Sequence, residues 1–139
     1  MSVTVVLDGA GLHAWAERRP PRQVLAVMEV LRRAGAGRVL VPSVVAVEAL
    51  TGDARDASVN QVLKQIDVQE HLSLTQARAA AALRQGTDGS AVDAVVAEAA
   101  LRTRAAYVIT SDADDLQTLI DRGAGRTAVV TVDAAPMSA

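Results

Sequence analysis

Glu48 stands alone among the apolar and small residues of the stretch VPSVVAVEAL, residues 41–50. The composition of this stretch predicts a place in the core, where an unpaired carboxylate is costly or takes up a proton. Three partners could stabilise the carboxylate there: an arginine, a shared proton or a metal ion. A metal ion would require further acids, distant in the sequence, to meet Glu48 in the folded chain.

Four other acids are candidates for that meeting. Asp8 directly follows the run VTVVL, Asp112 and Asp115 follow the run AYVIT, and Asp93 lies in the first turn of a predicted helix. In a parallel sheet, functional groups gather at the carboxyl ends of the strands, so these side chains could point to one place. Taken singly, Asp8 is also typical of a turn, and Asp93 and Asp112 are typical of helix caps.

A cluster of these acids predicts a divalent cation. Four or five carboxylates within about 6 Å of one another would repel by about 3 kcal/mol per pair at an effective dielectric constant of about 20. Such a cluster persists only with a cation inside it or with raised pKa values. Oxygen ligands favour Mg²⁺ or Mn²⁺. The chain has no cysteine, which excludes thiolate catalysis and zinc–thiolate sites.

Short apolar runs alternate with helical patterns and would position these acids. Strands are predicted at 3–7, 38–41, 106–110 and 127–132, with a short candidate within 68–74; helices are predicted at 9–15, 22–35, 42–52, 54–66, 75–86, 90–104 and 111–123. This order predicts an α/β fold, a three-layer α/β/α sandwich with a mostly parallel central sheet. We expect one domain over residues 1–134 and a frayed tail at 135–139.

The charge distribution permits an RNA partner although the formal net charge is −2. If five carboxylates occupy one site, the remaining surface carries −2 + 5 = +3. Candidate phosphate contacts are Arg18, Arg19, Arg22 and Arg104, although solvated helix faces would also explain them. No apolar run approaches the roughly 20 residues of a membrane span, and the first residues do not form a signal peptide. We therefore expect a cytoplasmic protein with no membrane partner.

The acidic motifs resemble the successive motifs of a PIN domain, in a layout similar to that of the VapC toxins of bacterial toxin–antitoxin pairs. The motifs are VVLDGAG, VPSVVAVEAL, GSAVDAVVAEAAL and YVITSDADDL. The resemblance extends over about residues 3–132 and depends on four motifs in the right order at fitting spacing. It implies a Rossmann-type sandwich with an acidic pocket at the edge of the sheet.

The resemblance also implies an activity, a Mg²⁺- or Mn²⁺-dependent ribonuclease. The expected catalytic residues and metal ligands are Asp8, Glu48, Asp93 and Asp112, with Asp115 as an additional ligand and Asp114 as a further candidate. The Thr110 hydroxyl is expected to support the acids by hydrogen bonding. VapC-like members pair with a small antitoxin that blocks the site, and they often form dimers. The expected partners are therefore an RNA substrate, a VapB-like antitoxin and a second copy of the chain.

The first motif departs from the family pattern, because Gly9 and Ala10 stand where hydroxyl residues usually follow the first Asp. Loss of those hydroxyls could loosen the hydrogen bonding around the acids. A catalytically weak or silent PIN-like module that acts by binding RNA or a protein is therefore the alternative. A receiver-type phosphotransfer domain also gathers acids around Mg²⁺, but it needs a lysine after a later strand, and the only lysine, Lys64, lies in a predicted helix.

Overall fold

Five parallel strands form the central sheet in the computed structural model, which describes residues 2–133. They are β1 (Ser2–Leu7), β2 (Ala36–Pro42), β3 (Asp67–Gln69), β4 (Tyr107–Thr110) and β5 (Ala128–Thr131). Their spatial order is β3-β2-β1-β4-β5, and every neighbouring pair is parallel. All of the predicted strands are found, and the predicted parallel sheet is confirmed. The predicted frayed tail, 135–139, lies outside the described residues.

Seven helices cover the two faces of this sheet. They are α1 (Gly9–Ala16), α2 (Arg22–Arg33), α3 (Ser43–Ala49), α4 (Ala57–Leu63), α5 (Leu74–Arg84), α6 (Ala91–Thr103) and α7 (Ala113–Arg122). Crossovers between parallel strands are right-handed, so α1–α4, which lead from β1 to β3, share one face. Helices α5–α7 lead back through β4 to β5 and share the other face, where they pack against one another. The predicted three-layer sandwich is therefore confirmed.

Two predicted helices differ most from the helices of the structure. The predicted helix 42–52 begins only at Ser43, because Pro42 is a buried strand residue at the end of β2. The predicted helix 54–66 divides into a 3-10 turn, Ala54–Asp56, and α4. Asp53 caps that turn through the N–H of Arg55. None of the helices within residues 2–133 has the length and apolar character that crossing a membrane requires.

Small aliphatic side chains fill the core between the layers. Val5, Val6 and Leu7 of β1 are fully buried, as expected for a strand covered on both faces. Trp15 packs against this core.

The carboxyl ends of β1 and β4 form the topological switch point of the sheet. The chain leaves β1 towards β2 on one side and leaves β4 towards β5 on the other, which opens a crevice between the two strand ends. Helix α1 begins in this crevice, in close contact with β4. A Cβ atom at Gly11 would lie 2.2 Å from the carbonyl oxygen of Ile109, so only glycine permits this approach.

Candidate active site

An acidic cleft of about 390 Å³ lies at this switch point. It is lined by Asp8, Gly9, Ala10, His13, Glu48, Asp88, Ser90, Asp93, Ser111, Asp112 and Asp115. The five acids predicted from the sequence all contribute to its lining, although they lie just after β1, in α3, in α6 and at the start of α7. The fold therefore brings together side chains that are up to 107 positions apart in the sequence.

Asp8 lies at the base of the cleft and is only 6% exposed. It is the N-cap of α1, because its Oδ1 accepts a hydrogen bond from the N–H of Gly11 at 2.8 Å. Its Oδ2 accepts a second hydrogen bond from the hydroxyl of Thr110 at 2.5 Å. Burial nevertheless raises the pKa of Asp8 to about 6, with a smaller contribution from the neighbouring charges of Asp93 and Asp112.

Thr110 connects the acids of two different motifs. Its side chain is fully buried at the end of β4, where it donates to Asp8. The same hydroxyl oxygen accepts a hydrogen bond from the N–H of Asp112 at 2.8 Å. A single hydroxyl thus contacts both one carboxylate and the backbone of the residue that carries another.

Asp93 combines a capping role with a place in the cleft. The hydroxyl of Ser90 accepts from the N–H of Asp93 at 3.0 Å, and the N–H of Ser90 donates to Oδ2 of Asp93 at 3.3 Å, which forms a capping box at the start of α6. Asp93 is 7% exposed. Burial raises its pKa, and the charges of Asp112 and Asp115 raise it further against the capping hydrogen bonds.

Glu48 does not lie in the core, and this part of the sequence prediction is wrong. Helix α3 buries one face through Val45 and Ala49, while Val47, beside Glu48, is 80% exposed. Glu48 is itself exposed along much of its length, yet it lines the cleft. The pKa of its carboxyl is raised by partial burial and by the charges of Asp93 and Asp112.

Asp112 and Asp115 contribute to the cleft from the start of α7. Asp112 occupies the N-cap position, but its side chain makes no capping hydrogen bond, so the predicted cap is not formed. Its carboxylate lines the cleft instead, and Asp115 follows one turn later. Asp114, the further candidate, is exposed and does not contribute to the lining.

The profile of the PIN-domain family matches residues 5–121 of this chain, which is most of its length. The chain belongs to the PIN-domain family. Members of this family are generally nucleases that use divalent metal ions, and the acidic cleft of this PIN domain lies where the four motifs meet. A search of curated proteins found no match.

Solved structures support the same fold. The crystal structure of FitAcB from Neisseria gonorrhoeae has a TM-score of 0.55 at 15% identity, over 91% of this chain and 96% of the other. PAE2754 from Pyrobaculum aerophilum has a TM-score of 0.50 at 20% identity, over 89% and 98%. A domain of a functionally unknown protein from Methanocaldococcus jannaschii has a TM-score of 0.50 at 14% identity, over 99% and 96%. At these identities, the likeness establishes the fold alone.

The acids of this PIN domain have the ligand chemistry that Mg²⁺ or Mn²⁺ prefers, but they do not yet form a coordination shell. Among residues 2–133, no three acidic or histidine side chains are arranged closely enough to hold a metal ion together. None of the five acids forms an ion pair with a basic side chain in this part of the chain. Mg²⁺ commonly retains several waters and needs only one or two carboxylates, so this wider spacing still fits such an ion.

Four lining residues with polar side chains did not enter the predicted site: His13, Asp88, Ser90 and Ser111. His13 and Ser90 lie in the predicted helices 9–15 and 90–104, and neither position by itself indicates a place in the cleft. Ser111 could have been selected, because it lies between two residues that were. Asp88 adds a sixth carboxylate to the cleft, but its place in a loop before α6 gives no periodic signal in the sequence.

The four candidate arginines occupy two different edges of the sheet. Arg18, Arg19 and Arg22 are exposed and form no ion pair within residues 2–133. Gln23, next to Arg22, donates to the carbonyl of Thr131 at 2.9 Å, which places the start of α2 at the carboxyl end of β5 and thus at the edge that holds the acids.

Arg104 lies at the opposite edge. It lines a second, larger cavity of about 560 Å³ between the C-terminal ends of α6 and α7, together with Arg126 and Thr127. The larger cavity contains no acidic side chain, so we assign the chemistry to the smaller, acidic cleft. The structure does not bring Arg104 together with the other site residues.

Proposed function

We propose that this PIN domain is a Mg²⁺- or Mn²⁺-dependent endoribonuclease and the toxin of a VapBC-type toxin–antitoxin pair. One observation carries the proposal: the five acids predicted from the sequence line a single cleft, and none of them forms an ion pair with a basic side chain within the described residues. Burial, and to a smaller extent the charges of neighbouring acids, raise the pKa of Asp8, Glu48 and Asp93. A divalent cation would remove this penalty.

Each acid has a role that follows from its position. Asp8, Asp93 and Asp112 would hold the ion, directly or through water, and Asp115 would extend the ligand set towards a bound phosphate. Glu48 is the most exposed of the three acids whose pKa is raised, Asp8, Glu48 and Asp93. Its Oε atoms are therefore suited to accept a proton from the attacking water. Thr110 would hold Asp8 in the ionised, correctly oriented state.

When bound, the cation would activate the attacking water and offset the charge that develops on the phosphate oxygens. Water attacks phosphorus as the bond from phosphorus to the 3′ oxygen breaks, which leaves a 5′-phosphate and a 3′-hydroxyl. The exposed arginines before and at the start of α2, Arg18, Arg19 and Arg22, would contact phosphates of the RNA that extends from the cleft.

The test is cleavage of structured RNA by the purified protein, with and without Mn²⁺, followed by sequencing of the RNA ends. We expect cleavage that requires the metal and is abolished by Asp8→Asn and by Asp93→Asn. Asp121→Asn is the matched control, because Asp121 is an exposed acid of α7 outside the cleft. Cleavage that persists in Asp8→Asn, or without any divalent ion, would contradict the proposal.

The alternative is a catalytically silent module that binds RNA or a protein. It is favoured by the absence, among residues 2–133, of a ready-made set of three metal ligands and by Gly9 in place of a hydroxyl residue. Tight binding of RNA without products, at any Mn²⁺ concentration, would support this alternative instead of the nuclease.

The proposed protein partner is a VapB-like antitoxin that covers the cleft. Val44 and Val47 expose apolar surface on α3 beside Glu48, and such surface is typical of protein contacts. Co-expression with the small reading frame next to the gene should yield a stable complex that no longer cleaves RNA.

The predicted homodimer is tested by light scattering of the protein alone.

A further inference from the structure

His13 connects the helices that carry Asp8 and Glu48. Its Nε2 atom lies 2.8 Å from the carbonyl oxygen of Ala49, the residue that follows Glu48 in α3. A carbonyl oxygen only accepts hydrogen bonds, so Nε2 of His13 carries the proton and donates it. Ala49 is 2% exposed, and its carbonyl, at the end of a helix, has no acceptor role within that helix. His13 therefore satisfies a buried acceptor that would otherwise be unpaired.

The same side of α1 also contacts Glu48 directly. Gly9 lies four residues before His13, so the two positions share one face of the helix. A Cβ atom at Gly9 would lie 3.4 Å from the Cβ of Glu48 and 3.7 Å from its Oε1. Helix α1 thus contacts two successive residues of α3, one by close packing and one by a hydrogen bond.

Helix α3 depends on such contacts for its position. It has seven residues, and its N-cap, Pro42, makes no side-chain capping hydrogen bond. Isolated helices of this length are unstable in water, so tertiary contacts must hold it. Val45 and Ala49 anchor its buried face, but apolar packing has no preferred direction, whereas a hydrogen bond does.

We propose that His13 is a positioning residue for Glu48, which it holds over the acidic cleft by fixing the C-terminal end of α3 to α1. This inference rests on the proposed nuclease function and adds to it a side chain that acts through the carbonyl of Ala49. His13 lines the cleft, but its Nε2 is already committed to this hydrogen bond.

Three variants test the role by RNA cleavage with Mn²⁺. His13→Ala removes the donor, whereas His13→Gln can place an amide N–H at a similar distance from the backbone. His71→Ala is the matched control, because His71 is exposed and its side chain makes no hydrogen bond in the described part of the chain. We expect kcat to fall about tenfold or more in His13→Ala with little change in KM, as for other residues that orient site ligands. We expect His13→Gln to recover most of the loss and His71→Ala to retain wild-type activity. A loss in His13→Ala that Gln does not recover would overturn the proposal.

A double-mutant cycle tests whether His13 acts through Glu48. In the Glu48→Gln background, His13→Ala should reduce the residual rate by less than twofold, because the group that His13 positions is already lost. A full tenfold loss in that background would show that His13 acts independently of Glu48 and would overturn the assignment.

Hydrogen exchange of the metal-free protein tests the inference without any activity. We expect His13→Ala to accelerate exchange in residues 43–50 while exchange in α6 and α7 is unchanged, and we expect no acceleration in His71→Ala. Unchanged exchange in 43–50 would overturn the positioning role even if RNA is cleaved. Absence of RNA cleavage by the wild-type protein would instead overturn the proposed function, and the exchange result would still decide the role of His13 in fixing α3.

Discussion

Replacing Thr110 by Val should move the titration of Asp8 upward. Valine has nearly the same shape as threonine but lacks the hydroxyl that donates to Oδ2 of Asp8. This hydrogen bond is the main influence that lowers the pKa of Asp8 against its burial, which raises the pKa to about 6. A hydrogen bond to a charged group contributes about 1.5–3 kcal/mol, and one pH unit corresponds to about 1.4 kcal/mol. The titration midpoint of Asp8 should therefore rise by about 1 to 2 pH units in Thr110→Val.

The consequence is a defect in cleavage that depends on pH. At pH 7, the ionised fraction of Asp8 should fall from about nine-tenths to about one-half or less. Cleavage and Mn²⁺ binding should therefore be weakened more at pH 7 than at pH 8.5, where Asp8 is ionised again. Carbon NMR of the Asp8 carboxyl in the metal-free protein measures the midpoint directly, and a pH–rate profile with Mn²⁺ measures its effect.

Thr127→Val is the matched control for this substitution. The hydroxyl of Thr127 is also buried and donates to the carbonyl of Ala105 at 2.7 Å, but it lies at the opposite edge of the sheet. Thr127→Val should lower the free energy of unfolding by about 1 kcal/mol and leave the Asp8 midpoint unchanged. If Thr110→Val leaves the midpoint unchanged or lowers it, the electrostatic account of the cleft given above is refuted.

Three further predictions concern stability. Because the pKa of Asp8 is about 6 in the folded state and 3.8 ordinarily, the free energy of unfolding of the metal-free protein should fall by up to about 3 kcal/mol as pH rises from about 4 to about 6. Thermal unfolding with a chelator should show this loss, and an equal loss in Asp8→Asn would contradict it. Mn²⁺ at about 100 times its Kd for the wild type should stabilise the wild type by about 2.7 kcal/mol in thermal unfolding, and the same concentration should stabilise Asp93→Asn markedly less. Equal stabilisation of both proteins would remove Asp93 from the ligand set. Gly11→Ala should lower the free energy of unfolding by about 2–4 kcal/mol in denaturant, because its Cβ would lie 2.2 Å from the carbonyl oxygen of Ile109, whereas Gly9→Ala, with 3.4 Å to its nearest neighbour, should lower it by less than about 1 kcal/mol. Similar losses in the two variants would refute the close approach of α1 to β4.

The sequence predicted the fold well because each layer of the sandwich has its own periodic signal. Strands such as β1 are buried on both faces and appear as continuous apolar runs, while α2 and α7 show apolar residues at helical spacing. Once the strands are parallel, an acid just after a strand must lie at the carboxyl edge. Asp8 and Asp112 could therefore be placed at one edge without any knowledge of tertiary contacts.

Two expectations failed, the burial of Glu48 and the place of Arg104 beside the acids. The first failed because one stretch of sequence contains two elements, and the second because the edge of the sheet at which the residue lies was not considered. VPSVVAVEAL is apolar because it contains both the buried end of β2 and α3, a helix with only one buried face. Its composition therefore overstated the burial of Glu48. Arg104 precedes β4, so the parallel sheet itself requires it to lie at the amino edge, opposite the acids. That conclusion was available from the order of the predicted strands.

His13 could not be selected from the sequence, because its role depends on a backbone carbonyl 36 residues away. A histidine in the first turns of a helix has many ordinary roles on a surface or in a core. Neither its spacing from Asp8 nor the composition around it indicates which acceptor its ring will meet. Only the packing of α1 against α3 gives that information.

The capping roles of Asp8 and Asp93 strengthen the case for function. Asparagine or serine would cap α1 as effectively as Asp8 does, without a buried charge. Aspartate instead places a carboxylate where burial and neighbouring acids raise its pKa to about 6, which is a net cost to the folded state above that pH. Two hydrogen bonds also leave lone pairs of the Asp8 carboxylate free towards the cleft. A structural role alone therefore does not explain the acid at this position, whereas the cation site that we propose would explain it.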